Sequence, residues 1–167
     1  MAKVYVVMGV SGCGKSSVGA ALAERLTANF VDGDDLHPPA NIEKMSQGLA
    51  LNDSDRQPWL EQIRLLAHQV LNHSKPMVIV CSALKLAYRD LLRQQNDHLA
   101  FIFLQGSQAL IEQRHRARHN HFMPTQLLQS QFDTLETPEP NEARVFAIDI
   151  DTDFDTLVER CEKAVQL

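Results

Sequence analysis

The chain is poor in cysteine, in long apolar runs and in surplus positive charge, and each shortage removes a class of protein. Its three cysteines, Cys13, Cys81 and Cys161, are an odd number with no C-x-x-C pair. They supply neither a disulfide framework nor a zinc site. Cys81 stands in a strand-like run and Cys161 on the apolar side of a helix, so both read as small core residues; Cys13 reads as a spacer within a loop. No apolar stretch nears the roughly 20 residues that a membrane-spanning helix requires. The first strand begins almost at once, which leaves no room for a signal peptide, and the expected compartment is the cytoplasm. Lys and Arg number 16 against 21 Asp and Glu, a net charge of −5 with both signs scattered along the chain. A nucleic-acid-binding surface would show a basic stripe instead. There is no repeat, no low-complexity tract and no interdomain linker. What is present, 44% apolar and 22% charged residues over 167 positions, is ordinary for a globular protein. The expectation is one domain, residues 1–167, burying about two-thirds of its unfolded surface.

Apolar runs alternate with helical spacing throughout. Val4-Tyr5-Val6-Val7-Met8, Met77-Val78-Ile79-Val80-Cys81 and Ala100-Phe101-Ile102-Phe103-Leu104 are unbroken, as in strands buried on both faces of a parallel sheet. Phe30-Val31 is a shorter second strand and Val145-Phe146-Ala147-Ile148 a fifth. Between them, apolar residues recur three and four apart. Val18, Leu22 and Leu26 mark one helix; Trp59, Ile63, Leu66 and Val70 mark a long one. Leu84, Tyr88 and Leu91 follow, then Leu128, Phe132 and Leu135. The last helix carries Phe154, Leu157, Cys161 and Val165 and opens on a Thr152-x-x-Asp155 capping box. This alternation predicts an α/β fold: a three-layer αβα sandwich with a five-stranded parallel sheet and right-handed crossovers. Ligands in such sheets collect at the carboxyl ends of strands, so those loops are where chemistry is to be sought.

The first such loop is Gly9-Val10-Ser11-Gly12-Cys13-Gly14-Lys15-Ser16, followed by Ser17. It fits the phosphate-binding P-loop, G-x-x-x-x-G-K-[ST], between a strand and a helix as that motif requires. Glycines let successive N–H groups point inward at phosphate oxygens, and the helix N-terminus adds its dipole. Lys15 reaches the β- and γ-phosphates and Ser16 ligates Mg²⁺. The chain is therefore expected to bind a nucleoside triphosphate.

The second strand ends in Asp32-Gly33-Asp34-Asp35-Leu36-His37-Pro38. Two carboxylates flanking a glycine, Asp32 and Asp34, suit phosphoryl transfer: one can hold Mg²⁺ through its water shell while the other accepts the proton of an attacking hydroxyl. Gly33 permits a tight bend and a close approach of substrate, while Asp35 reads as structural. The third strand lacks a terminal Asp, which leaves Asp32 as the metal's carboxylate. It leads into Ser82-Ala83-Leu84-Lys85, with Arg89 a turn further on. A cation at a helix start opposes the dipole, so an anionic ligand nearby explains it better than solvent does. Arg56, at the opening of the long helix, can hold a carboxylate through two parallel hydrogen bonds; an ordinary surface ion pair explains its spacing equally well. Arg114-His115-Arg116-Ala117-Arg118-His119-Asn120-His121 concentrates cations in an acidic chain. It reads as a lid, about residues 114–125, closing on the triphosphate. A zinc site on His115, His119 and His121 is disfavoured because no cysteine or acidic partner is close.

Taken together these segments resemble the bacterial gluconate kinases (gluconokinases). The resemblance rests on the P-loop, Asp32–Pro38, Asn41–Met45, Leu51–Trp59, Cys81–Lys85, Tyr88–Arg93, His121–Pro124 and Ser130-Gln131-Phe132-x-Thr134-Leu135-Glu136. It implies Mg²⁺- and ATP-dependent phosphorylation of D-gluconate at its 6-hydroxyl. It also implies the nucleoside-monophosphate-kinase-like fold shared with shikimate kinases, and a homodimer. On that resemblance Asp34 orients and deprotonates the 6-hydroxyl. Lys15, Arg116 and Arg118 stabilise the migrating phosphoryl group, with Mg²⁺ on Ser16 and Asp32, and Arg114 stacks on adenine. His37, Arg56 and Lys85 hold the sugar acid. The chain departs from many relatives in carrying Asn120 where they have glycine; Asn tolerates the left-handed conformation better than most residues. The alternatives are a shikimate or nucleotide kinase of the same fold, and a GTPase-type switch. The switch lacks its N-K-x-D and D-x-x-G segments here.

Overall fold

The computed structural model describes residues 2–117 and 125–166, with side chains from 128 onward in the second stretch. Five parallel strands appear where the apolar runs predict them. They are β1 (Val4–Met8), β2 (Asn29–Asp32), β3 (Met77–Val80), β4 (Leu99–Gln105) and β5 (Val145–Asp149). Their spatial order is β2-β3-β1-β4-β5. Every neighbouring pair is parallel, with Val6 opposite both Ile79 and Phe101. The three central strands are buried almost throughout, which is why their sequences are unbroken apolar runs. Edge strand β2 is half exposed and correspondingly short.

The helices are α1 (Lys15–Leu26), α2 (Pro39–Ser46), α3 (Asp53–Gln69), α4 (Leu86–Arg93), α5 (Gln108–Ala117), α6 (Thr125–Thr134) and α7 (Phe154–Val165). Side chains alternate across the sheet with the period of two that a strand imposes. Tyr5 and Val7 join Val18, Leu22 and Leu157 on the side covered by α1 and α7. Val4, Val6 and Met8 join Trp59, Ile63 and Leu92 on the side covered by α3 and α4. The result is the expected αβα sandwich, with Cys81 and Cys161 buried inside it as free thiols.

Local chemistry sets the helix starts. Asn52 caps α3 by accepting from the Asp55 N–H at 2.8 Å while the Asp55 carboxylate accepts from the Asn52 N–H at 2.9 Å, a reciprocal box that satisfies two otherwise orphaned donors. At α7 the structure corrects the sequence reading by one residue. Asp153, not Thr152, is the cap, accepting from the Thr156 N–H at 2.8 Å. Leu84 likewise precedes α4 instead of belonging to it. Between β1 and α1 the chain turns through Gly9, Gly12 and Gly14, all at positive φ, and so brings the phosphate loop to the carboxyl edge of the sheet.

Candidate active site

The loop glycines are needed for their shape. A Cβ on Gly9 would lie 2.9 Å from Cys13 Sγ and 3.0 Å from the Leu104 carbonyl. Cys13 is thus a buried spacer wedged under the loop, as expected. Lys15 folds back over the loop, its Nζ donating to the Val10 carbonyl at 3.1 Å. Across the gap to β2, the Ser16 hydroxyl lies 3.4 Å from Asp32 Oδ2 as donor. The other Asp32 oxygen accepts from the Asp34 N–H at 3.0 Å, so one carboxylate both caps the following 3-10 turn and faces the P-loop serine. A hydroxyl and a carboxylate are hard oxygen donors, the set that suits Mg²⁺ when phosphate and water oxygens complete its shell.

Asp34 stands in that turn with a carboxyl that is open to solvent yet surrounded by the walls of a cavity of about 230 Å³, which Lys15, His37, Arg56 and Gln131 also line. Packing within the cleft raises its pKa above the usual carboxylate value, and the Asp32 charge adds to the rise while the Lys15 ammonium opposes it. Gly33 beside it fills a different role from the expected one. The close approach it permits is to β3, because an added Cβ would sit 2.3 Å from the Val80 carbonyl oxygen.

His37 is buried and stacked on Trp59, with ring centroids 4.1 Å apart and planes 16° from parallel. Trp59 is itself fixed by donating its indole N–H to the Gly33 carbonyl at 2.7 Å. The Asn41 amide nitrogen donates to the Asp55 carbonyl at 2.9 Å and lies 3.2 Å from His37 Nδ1. An amide N–H₂ can only donate, so Nδ1 accepts and the imidazole proton resides on Nε2. Nε2 lies 3.9 Å from Asp34 Oδ1. Burial, reinforced by the Arg56 charge, pulls the His37 pKa down to about 4, so the ring is a neutral donor at physiological pH. Arg56 reaches the same cavity and is steadied from behind. One terminal nitrogen donates to the Tyr88 hydroxyl at 2.8 Å. That hydroxyl donates in turn to Asp53 in a short contact.

A phosphate loop, a paired-aspartate turn and an Arg-bearing polar wall thus meet around one cavity, and comparison with known proteins identifies the family. Residues 4–138 match the family model described as an AAA domain. The thermoresistant gluconokinase of Escherichia coli (strain K12) is 50% identical over 155 residues, covering 93% of this chain and 89% of that protein. The chain belongs to the gluconokinase family. A gluconokinase from Sinorhizobium meliloti 1021 superposes with a TM-score of 0.87 at 46% identity, covering 98% of this chain and 91% of that one. A shikimate kinase from Aquifex aeolicus, at 14% identity and a TM-score of 0.61, shares the fold alone.

In this gluconokinase-family chain the two cations that follow β3 meet protein carboxylates. Lys85 sits at the α4 N-terminus, but the anion facing it is a protein group: its Nζ donates to Asp53 at 3.0 Å. The hydrogen bonds from Tyr88 and then from Lys85 hold the Asp53 carboxyl below its ordinary pKa. Arg89 is no ligand-facing cation either. It is 1% exposed and forms a two-pronged pair with Glu142, at 2.7 and 2.9 Å. Of the lid cations, Arg114, in the last turn of α5, has a nitrogen 3.4 Å from the Thr152 carbonyl, beside the loop after β5. Arg116 is exposed, 3.9 Å from Glu112 on its own helix. His115 is buried beside Gly12 of the P-loop. Arg118, His119, Asn120 and His121 lie outside the described residues. Ser130, Gln131 and Thr134 line the cavity without having been singled out as site residues. The available signal was a polar row on a helix whose apolar side is Leu128, Phe132 and Leu135.

Proposed function

We infer that the chain is an ATP-dependent gluconokinase, forming 6-phosphogluconate and ADP from D-gluconate. The observation that carries this reading is the meeting of Lys15, Asp34, His37 and Arg56 around one cavity at the mouth of the P-loop. A sugar acid needs a base at one end, a cation at the other and donors between, and Asp34, Arg56 and His37 supply them in that order. Asp34 accepts the proton of the 6-hydroxyl as its oxygen attacks the γ-phosphorus, and the bond from that phosphorus to the β–γ bridging oxygen breaks. Loop N–H groups and Lys15 balance the charge on the transferred group. His37 Nε2–H donates to a hydroxyl of the chain, and Arg56 takes the carboxylate, with Lys85, held between Asp53 and Tyr88, adding long-range attraction. Ser16 and Asp32 are the pair assigned to Mg²⁺, which when bound neutralises triphosphate charge. Arg114, beside the loop after β5, is assigned to adenine, and Arg116 and Arg118 to the phosphoryl group on lid closure. The same reading carries a homodimer in the cytoplasm, on the family resemblance and the composition. An ADP-coupled assay with ATP and Mg²⁺ over D-gluconate, L-idonate, shikimate and glucose tests it. D-gluconate is expected to turn over at about 1–100 s⁻¹, the range usual for kinases. Preferred turnover of shikimate, or ATP binding with transfer to none of the four, overturns it.

A further inference from the structure

The polar side of α6 has no role in the chemistry above, yet it forms the cavity wall next to the P-loop. The Ser11 N–H, in the middle of the loop, donates to Gln131 Oε1 at 2.6 Å across 120 residues of sequence. A backbone N–H can only donate, so this contact fixes the orientation of the Gln131 amide. Its carbonyl oxygen is committed to the loop, and its Nε2 donors form the other half of a side chain that lines the cavity. Thr134, on the same wall, cannot compete as a donor: its hydroxyl donates back to the Ser130 carbonyl at 2.7 Å.

Gln131 is also rigidly carried. Immediately beyond α6, the Glu136 N–H donates to the Leu84 carbonyl at 2.8 Å, and the Glu136 carboxylate accepts from the Leu86 N–H at 2.8 Å. Buried Arg89 donates to the Glu136 carbonyl at 2.9 Å. These bonds lock the end of α6 to the start of α4, so the amide is presented from a fixed support. Fixed donors discriminate among acceptors better than adaptable ones.

We propose that Gln131 is an acceptor-binding, specificity-determining residue: its Nε2 donates to a hydroxyl of the phosphoryl acceptor while its Oε1 holds the Ser11 amide, tying the polyol to the phosphate loop. This rests on the gluconokinase reading. The test is steady-state kinetics of the full chain, with D-gluconate and ATP varied separately, for the wild type, Gln131→Met and Gln131→Ala. Met restores bulk without hydrogen bonding and Ala restores neither, so a packing role and a hydrogen-bonding role separate. The expected result is an acceptor KM raised about five- to tenfold in both variants, as for one lost neutral hydrogen bond. The KM for ATP is expected to change by less than about threefold, because Lys15 and the other loop amides remain. A wild-type acceptor KM in Gln131→Met, or an ATP KM that rises in step with the acceptor KM, overturns the assignment. Wild-type inactivity on D-gluconate overturns the functional reading instead; wild-type turnover with unaltered variants overturns only the role of Gln131.

Discussion

Asp34 and His37 share one small volume and are pushed in opposite directions on the pH scale. Confinement within the cleft, then the neighbouring Asp32 charge, raises the Asp34 pKa against the pull of Lys15. Burial, then the Arg56 charge, lowers that of His37 to about 4. Each shift disfavours the charged form of its own group, and on the proposed mechanism the pair divides into a base and a neutral donor. Because Asp34 must be ionised to accept a proton, the acid limb of kcat/KM is expected at higher pH than the roughly 3.9 of a free aspartate. Asp34→Asn should lower kcat by about 10²- to 10⁴-fold, the usual share of general-base catalysis. It should also remove that limb; a residual limb near pH 4 would be shared between His37 and the carboxyl of the sugar acid itself. Fold damage is separable by sign. A carboxyl whose folded pKa is raised lends stability below its unfolded pKa and loses it as pH rises through the folded one. Asp34→Asn should therefore melt no lower than the wild type at pH 7. Near-normal turnover in this variant would remove Asp34 from the mechanism.

At the level of single elements, legibility followed burial. β1, β3 and β4 are apolar on both faces, and such runs have one reading in an alternating chain. Helix α2 was not legible, because it leaves Ile42 and Met45 exposed and so has no inward apolar stripe to betray its period. The α7 cap was misplaced because Thr152 and Asp153 are adjacent and both can cap; only coordinates show which side chain reaches the N–H. Gly33 shows the same limit, since a glycine announces a close approach without naming what approaches. Here it is the β3 backbone, with an added Cβ 2.3 Å from the Val80 carbonyl oxygen and 3.4 Å from Ile63 Cδ1. Gly33→Ala must displace either the β3 strand end or the aspartate turn. The expected loss is about 1–3 kcal/mol, as for overpacking a rigid core. Gly48 provides the control: it has φ +76° with nothing within 4 Å of an added Cβ. Gly48→Ala should lose only the backbone term of about 1 kcal/mol. Urea unfolding of both variants decides the matter, and a Gly33→Ala loss no larger than that of Gly48→Ala would show that β3 gives way.

Across the whole molecule, the parts of the site that were legible are contiguous in sequence and the parts that were not are assembled from a distance. The P-loop and the Asp32–Asp34 turn each lie within one loop. Gln131 meets Ser11 across 120 residues, Tyr88 meets Asp53 across 35, and Arg89 meets Glu142 across 53. No periodicity announces such pairings. The last of them holds the acceptor side of the site together. Arg89 donates to the Ala83, Leu84 and Glu136 carbonyls while pairing with Glu142, so the β3 exit, the end of α6 and the segment before β5 converge on one guanidinium. Burial pushes the Glu142 pKa up, but hydrogen bonds from Arg89 and Arg93 outweigh it and hold the carboxyl below its ordinary value. A depressed folded pKa gives stability that is present above the unfolded pKa of about 4.3 and disappears as pH falls through the folded one. Glu142→Gln leaves a buried guanidinium facing a neutral amide, which should destabilise by about 3 kcal/mol at pH 7; breaking one side of a buried pair reaches 3–5 kcal/mol, and Gln keeps an acceptor oxygen. Urea midpoints of variant and wild type should then converge as the pH is lowered below the unfolded value and the native carboxylate takes up its proton. The acceptor KM should rise ahead of the ATP KM, because the pinned segments carry Leu84 and Gln131 whereas the P-loop is held by β1 and α1. Equal urea midpoints at pH 7 would show that the carbonyl contacts of Arg89 suffice and that Glu142 is dispensable.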